Sequence, residues 1–389
     1  LLINGAENYA PFQMYLAQDP KLVQYSSWIF KSVVAQLKEA RPDMLLVPGD
    51  LTKDGELVSH EAVAGYLEQL RNMGTKVYVL PGNHDINNAK AVQYNGENVI
   101  QLPRTQVADF TRIYANFGYS QTERDPASLS YLAKPYSDLW ILAIDASTYE
   151  LYDDKGDVPD GRIKDATMTW LLAKLAEARQ QHVTLFAMMH HNLVEHYAGQ
   201  TYIDRGYVVD NAETRVKQLM DAGLKIIFTG HYHASDITPH AYNGQTLYDI
   251  ETGALTTPPS SYRLITVKNK NLDITTNTVQ QISTTLPGGL SFPAYSNLFL
   301  TEHLDGYFQY YLANIFGAPQ PVVDFAAPVF RNAVMAHFAG DEKMPPDQRK
   351  LITTLAGMSQ ELATIATSFW TDLGAQDNHA ILPYEGKDK

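Results

Sequence analysis

Five apolar, β-favouring runs in this chain each stop at a polar motif. Met44-Leu45-Leu46-Val47 leads to Gly49-Asp50, and Lys76-Val77-Tyr78-Val79-Leu80 leads to Gly82-Asn83-His84-Asp85. Leu139–Ile144 ends on Asp145, Val183–Met188 on His190-His191, and Leu224–Phe228 on Gly230-His231-Tyr232-His233. Helical periodicity fills the gaps, over residues 23–40, 57–73, 166–180 and 212–222. Unbroken apolar strands alternating with helices predict an α/β core whose sheet is buried on both faces. Shorter alternating strands are predicted near 245–251, 262–268 and 272–276.

The pattern changes after about residue 288. Leu304, Phe308, Tyr311, Leu312 and Ile315 share one helical face. Leu351, Leu355, Met358, Leu362, Ile365 and Phe369 repeat at four and three, behind the start signal Pro345-Pro346-Asp347. The expected division is a catalytic domain over 1–288 and a helical domain over 289–389. The apolar face of the second packs either on the α/β core or on a second subunit, which makes an oligomer one expectation. Aromatic residues Tyr307, Phe308, Tyr310 and Tyr311 are read as core.

In open α/β sheets ligands gather beyond the carboxyl ends of strands, where all five motifs stand. The Asp50 carboxylate has two oxygens and can bridge two cations. Asn83 offers an amide oxygen, and His190, His231 and His233 offer imidazole nitrogens. An O/N donor set without sulfur suits two divalent ions of the Mn, Fe or Zn kind. Such a pair can activate a water and clamp a phosphoryl group. His84, next to a ligand but pointing elsewhere, is the candidate general acid, with Asp85 expected to orient it. Asp145 is read as a loop anchor, His191 as support for the ligands, and Asp54-Gly55 as a turn. Glu195 and His196 are read as residues of a solvated loop. His60, His182, His240, His303, His337 and His379 show no partner spacing.

These ordered motifs resemble the calcineurin-like metallophosphoesterase family. The stretch Gly49-Asp50-Leu51-Thr52-Lys53-Asp54-Gly55-Glu56 and the helical tail are similar to its cyclic-nucleotide phosphodiesterase branch. The resemblance implies a layered sandwich of two β-sheets flanked by helices, with an added C-terminal α-helical domain. It implies that Asp50 bridges two metals, that Asn83, His190 and His231 complete one site, and that His233 belongs to the other. The family's Asp-x-His motif would supply further ligands to that second site; it is expected immediately before Leu1. The implied reaction is hydrolysis of phosphoesters, phosphodiesters such as cyclic nucleotides included, by a metal-bound hydroxide. A phosphomonoesterase or pyrophosphatase on the same core, or a metal-depleted binding protein, are the alternatives.

Acidic residues outnumber basic ones, 43 to 30, which argues against a nucleic-acid polymer or an anionic membrane as partner. A small anionic phosphoester stays compatible, because metal ions supply positive charge locally. No apolar run is long enough to span a bilayer. The chain has no cysteine, so disulfides and thiolate zinc sites are excluded. That leans toward an extracytoplasmic location and leaves the compartment open.

Overall fold

A computed structural model of the chain describes residues 1–2, 9–374 and 376–384. Strands β1 (Met44–Val47) and β2 (Lys76–Val79) pair in parallel. A hairpin of β3 (Val92–Asn95) and β4 (Asn98–Gln101) follows. Seven strands form the main sheet: β5 (Glu123–Arg124), β6 (Tyr131–Ala133), β7 (Leu139–Ile144), β8 (Thr184–Met189), β9 (Ile226–Thr229), β10 (Ile237–Tyr242) and β11 (Gln245–Glu251). Their spatial order is β10-β11-β9-β8-β7-β6-β5, with β7, β8, β9 and β11 parallel. Strands β12 (Ser261–Lys268), β13 (Asn271–Thr278) and β14 (His379–Pro383) make an antiparallel sheet.

The central strands are apolar throughout because both faces are covered. In β7, Ile141 and Ala143 face one cluster while Trp140, Leu142 and Ile144 face another, the period of two that a strand imposes. The first cluster also takes Val77 and Val79 of β2, Leu272 and Ile274 of β13, and Ala380 and Leu382 of β14. It is therefore the filling between the main sheet and a second β layer. The other cluster takes Met168, Leu171 and Leu175 from the helix Asp165–Gln180, and Val216, Leu219 and Met220 from Ala212–Asp221. The helix Ser26–Ala40 lays Ile29, Val33, Val34 and Leu37 against Leu70, Val279, Phe292 and Phe299. Burying each such side chain stabilises the fold by roughly 1.5–3 kcal/mol before entropy is counted.

Helices Phe292–Asn314, Gln320–Ala339, Pro346–Met358 and Gln360–Ser368 follow. Two features differ from the sequence reading. The repeat that suggests one helix through 351–369 is broken at Ser359, whose extended backbone (φ −154°, ψ 110°) stops one helix while its Oγ caps the next. The stretch expected to be wholly helical also ends in β14, which returns to pair with β13. The helices share a core with Tyr197, Tyr232 and Ala234, so their apolar face packs on the α/β part of the same chain. Among the described residues no helix is long and apolar enough to cross a membrane.

Candidate metal centre

The segments following β1, β2, β8 and β9 converge. Their backbones take conformations that ordinary strands avoid: Asp50, His231 and His233 have φ of 51°, 75° and 73°. Held left-handed conformations of this kind cost of order 1–3 kcal/mol each and persist only where the surroundings enforce them. Two glycines let the loops meet. A Cβ on Gly82 would stand 2.1 Å from Asp50 Oδ1, and one on Gly49 would stand 2.7 Å from His190 Nδ1.

Ligand atoms of Asp50, His190 and His231 all lie within 4.8 Å of one another. His190 Nδ1 is 2.8 Å from the Pro48 carbonyl, so that nitrogen carries the proton in the neutral ring. Its Nε2 then faces Asp50 Oδ1 at 3.3 Å and Asn83 Oδ1 at 3.1 Å. The Asn83 amide is turned this way because its Nδ2 donates to Asp157 Oδ2 at 3.2 Å. A lone pair aimed at two acceptor oxygens needs a cation among them, either a proton or a metal ion. The donor set is oxygen and imidazole with backbone support, which fits a divalent transition metal.

His231 Nε2 sits 2.9 Å from the Pro159 carbonyl, which leaves Nδ1 as its ligand atom. The His191 ring lies tilted beside that of His231, centroids 4.5 Å apart, and contacts the same carbonyl through Nε2 at 3.0 Å. His233 lies outside this group of three. Its Nδ1 meets Thr257 Oγ1 at 3.0 Å, and Asp50, His84 and His190 reach it only electrostatically. Burial opposes the Asp50 charge, but His190 and His84 outweigh it and hold the carboxyl well below its usual range. Burial, with His191 and His190 beside it, holds the His231 ring well below the ordinary imidazole value.

His84 stands beside this cluster, its backbone N–H donating to Asp50 Oδ1 at 3.2 Å. Its orienting partner is not the expected Asp85. The Asp85 oxygens accept from the backbone N–H groups of Leu51, Thr52 and Gly82, at 3.1, 3.0 and 2.9 Å. Asp85 is thus a staple between the first two loops, unable to turn toward the ring. His84 Nδ1 instead faces Asp54 Oδ1 at 3.2 Å and Asp157 Oδ2 at 3.5 Å. Burial lowers its pKa, but Asp50, Asp54 and Asp157 outweigh burial and raise it.

Asp54 does belong to a turn, yet its carboxylate serves the site, which the turn reading hid. Asp157 carried no sequence signal, because it arrives on a strandless loop 74 residues beyond Asn83. Lys21 was also missed: against burial its charge is supported first by Asp19, 3.9 Å away, and then by Asp50, Asp54 and Asp157. Asp145 accepts from Leu129 N–H, Ser147 N–H and the Tyr149 hydroxyl, so it anchors a loop. His196, expected in a solvated loop, is fully buried 2.7 Å from Asp236. Glu195 accepts from the Thr201 N–H at 2.9 Å within its own loop. His60 is buried between the Tyr114 hydroxyl and the Asp85 carbonyl, each at 2.9 Å.

The family model of calcineurin-like phosphoesterases matches residues 25–235. A 58-residue segment, 14% of the chain, is 45% identical to a 3',5'-cyclic-nucleotide phosphodiesterase of Nostoc sp. and covers 21% of it. The match therefore spans about a fifth of that relative's length. A dimetal phosphatase from Danio rerio is similar over 66% of this chain and 88% of that one, at 13% identity and a TM-score of 0.47.

Proposed function

Because this chain belongs to the calcineurin-like phosphoesterase family, we propose that it hydrolyses phosphodiesters, cyclic nucleotides among them, at the Asp50 centre. Family membership makes it a hydrolase acting on phosphoesters with divalent metal ions. The finer reading is supported by the segment it shares with the Nostoc phosphodiesterase. The observation that carries it is His190 Nε2 facing the Asp50 and Asn83 oxygens, with the His84 ring alongside.

In this reading Asp50, Asn83, His190 and His231 hold one ion, and Asp50 and His233 contribute to a second. The catalytic part comprises residues 1–288 together with the returning strand β14. Bound there, divalent metals supply the Lewis-acid charge that an anionic phosphoester needs. Pro48 and Pro159 fix the His190 and His231 rings through their carbonyls. His84 gives a proton from Nε2 to the departing oxygen, its Nδ1 held by Asp54 and Asp157. Lys21, its charge supported by Asp19, Asp50, Asp54 and Asp157, adds positive charge near the site of a strongly acidic protein.

The test is hydrolysis of bis-p-nitrophenyl phosphate, cyclic AMP, p-nitrophenyl phosphate and pyrophosphate with added Mn²⁺. The diester and the cyclic nucleotide are expected to turn over fastest, and Asp50→Ala or Asn83→Ala to abolish turnover. Preference for the monoester or for pyrophosphate would move the substrate class. Failure to bind or use any metal would leave a binding protein.

A further inference from the structure

A second group of ligand-type side chains lies where the helices meet the α/β part. Asp236, His337 and Glu342 are 1%, 1% and 8% exposed, and their ligand atoms lie within 4.8 Å of one another. Asp236 follows the His233 loop by three residues. His337 is in the last turn of the Gln320–Ala339 helix, and Glu342 comes just after it. Each has a buried polar atom with no hydrogen-bond partner among the described residues: Asp236 Oδ2, His337 Nε2 and Glu342 Oε2. Their other atoms are engaged. Asp236 Oδ1 takes His196 Nδ1 at 2.7 Å and Thr238 Oγ1 at 2.9 Å, and His337 Nδ1 pairs with Glu342 Oε1.

Charge around the group is out of balance. The carboxyl groups of Asp236, Asp249, Glu251, Glu342 and Asp377 gather here; burial pushes Glu251 and Asp377 up to about 8, and Glu251 Oε2, 3.9 Å from His196 Nδ1, has no hydrogen-bond partner among the described residues. Against them stand Arg263 and the imidazoles of His196 and His337. Among the described residues Arg263 donates to backbone carbonyls, those of Glu251, Asp377 and Asp236. Buried charge without a counterion is costly, and buried polar atoms are nearly always paired.

We propose that Asp236, His337 and Glu342 form a structural site for a divalent transition metal, separate from the catalytic centre. Two carboxylates and an imidazole suit Zn²⁺ or Mn²⁺, whereas Ca²⁺ and Mg²⁺ take oxygen alone. The ion joins the ligand loop after β9 to the end of a helix. That junction is close: Ser235 N–H donates to the Phe338 carbonyl at 3.3 Å, and a Cβ on Gly340 would stand 2.4 Å from the Ser235 carbonyl. The site thereby fixes the backbone that carries His231 and His233.

Full-length Asp50→Asn/His190→Ala protein, its catalytic centre emptied, is loaded with Zn²⁺, dialysed and assayed for metal by plasma mass spectrometry. One retained equivalent, and a rise in melting temperature on Zn²⁺ addition, are expected. Adding Glu342→Gln should remove both. No retained metal, or retention unchanged by Glu342→Gln, overturns the proposal. If that variant does not fold, anomalous diffraction at the zinc edge from Zn²⁺-loaded wild-type crystals decides. A peak among Asp236, His337 and Glu342 is expected, and its absence overturns the site.

Discussion

Asp54 Oδ1 lies 3.2 Å from Nδ1 of His84, so a carboxylate of the first loop aims the imidazole of the second. Removing the ring and removing its aim should have different consequences. His84→Gln is expected to slow cyclic-nucleotide hydrolysis by about 10²–10⁴-fold, the usual range for a proton donor. Its effect on bis-p-nitrophenyl phosphate should be much smaller, because p-nitrophenolate leaves without a proton. Asp54→Asn should show the same bias at reduced size, with KM little changed. Equal losses on both substrates would remove His84 from the acid role.

Gly82 sits where any side chain meets the Asp50 carboxylate. A Cβ there would be 2.1 Å from Asp50 Oδ1. Gly82→Ala should displace Asp50, lower metal occupancy at the catalytic centre and abolish turnover while the protein still melts cooperatively. Metal content and a thermal melt on the same sample check this. Full activity in the variant would contradict the convergence of the two loops.

Asp145 gives a pH dependence whose sign can be worked out. Burial pushes its carboxyl up from 3.8 to about 6, despite three donors. Between those values the folded protein keeps a proton that the unfolded chain has lost. Its contribution to stability therefore falls as pH rises through the window. Asp145→Asn removes that slope, so the variant should gain on the wild type from pH 4 to 6, by at most roughly 1.4 kcal/mol per pH unit. Denaturant melts across the window measure it; parallel curves would refute the shift.

Leu312 is fully buried in the cluster shared by the helices and Tyr197, Tyr232 and Ala234. Leu312→Ala should cost about 2–5 kcal/mol, the range for a buried leucine cavity. Activity per folded molecule should persist at low temperature, since Leu312 touches no ligand. A change confined to kcat with an unaltered melt would be the contrary result.

The sequence made the main apolar strands and the ligand-bearing turns readable, because apolar continuity and strand-end chemistry are local signals. Asp50, Asn83, His190 and His231 came from that grammar. What escaped it depends on distance in the chain. Asp157 approaches Asn83 across 74 residues of intervening chain, and Asp85 is captured by three backbone amides that no pattern announces. His196 looked like a loop residue because its partners, Asp236 and Asp249, lie on other elements. The break at Ser359 was hidden because the apolar repeat runs through it and only the backbone stops.

The pairing of β14 with β13 changes what kind of object the helical region is. Topologically it is not a tail but a long excursion between two neighbouring strands of one sheet, anchored at both ends. Whatever the helices between them do, the chain has to come back to His379–Pro383. A shortened protein ending after residue 288 would lose an edge of the catalytic sandwich along with the helices, so the two parts fold and are lost together.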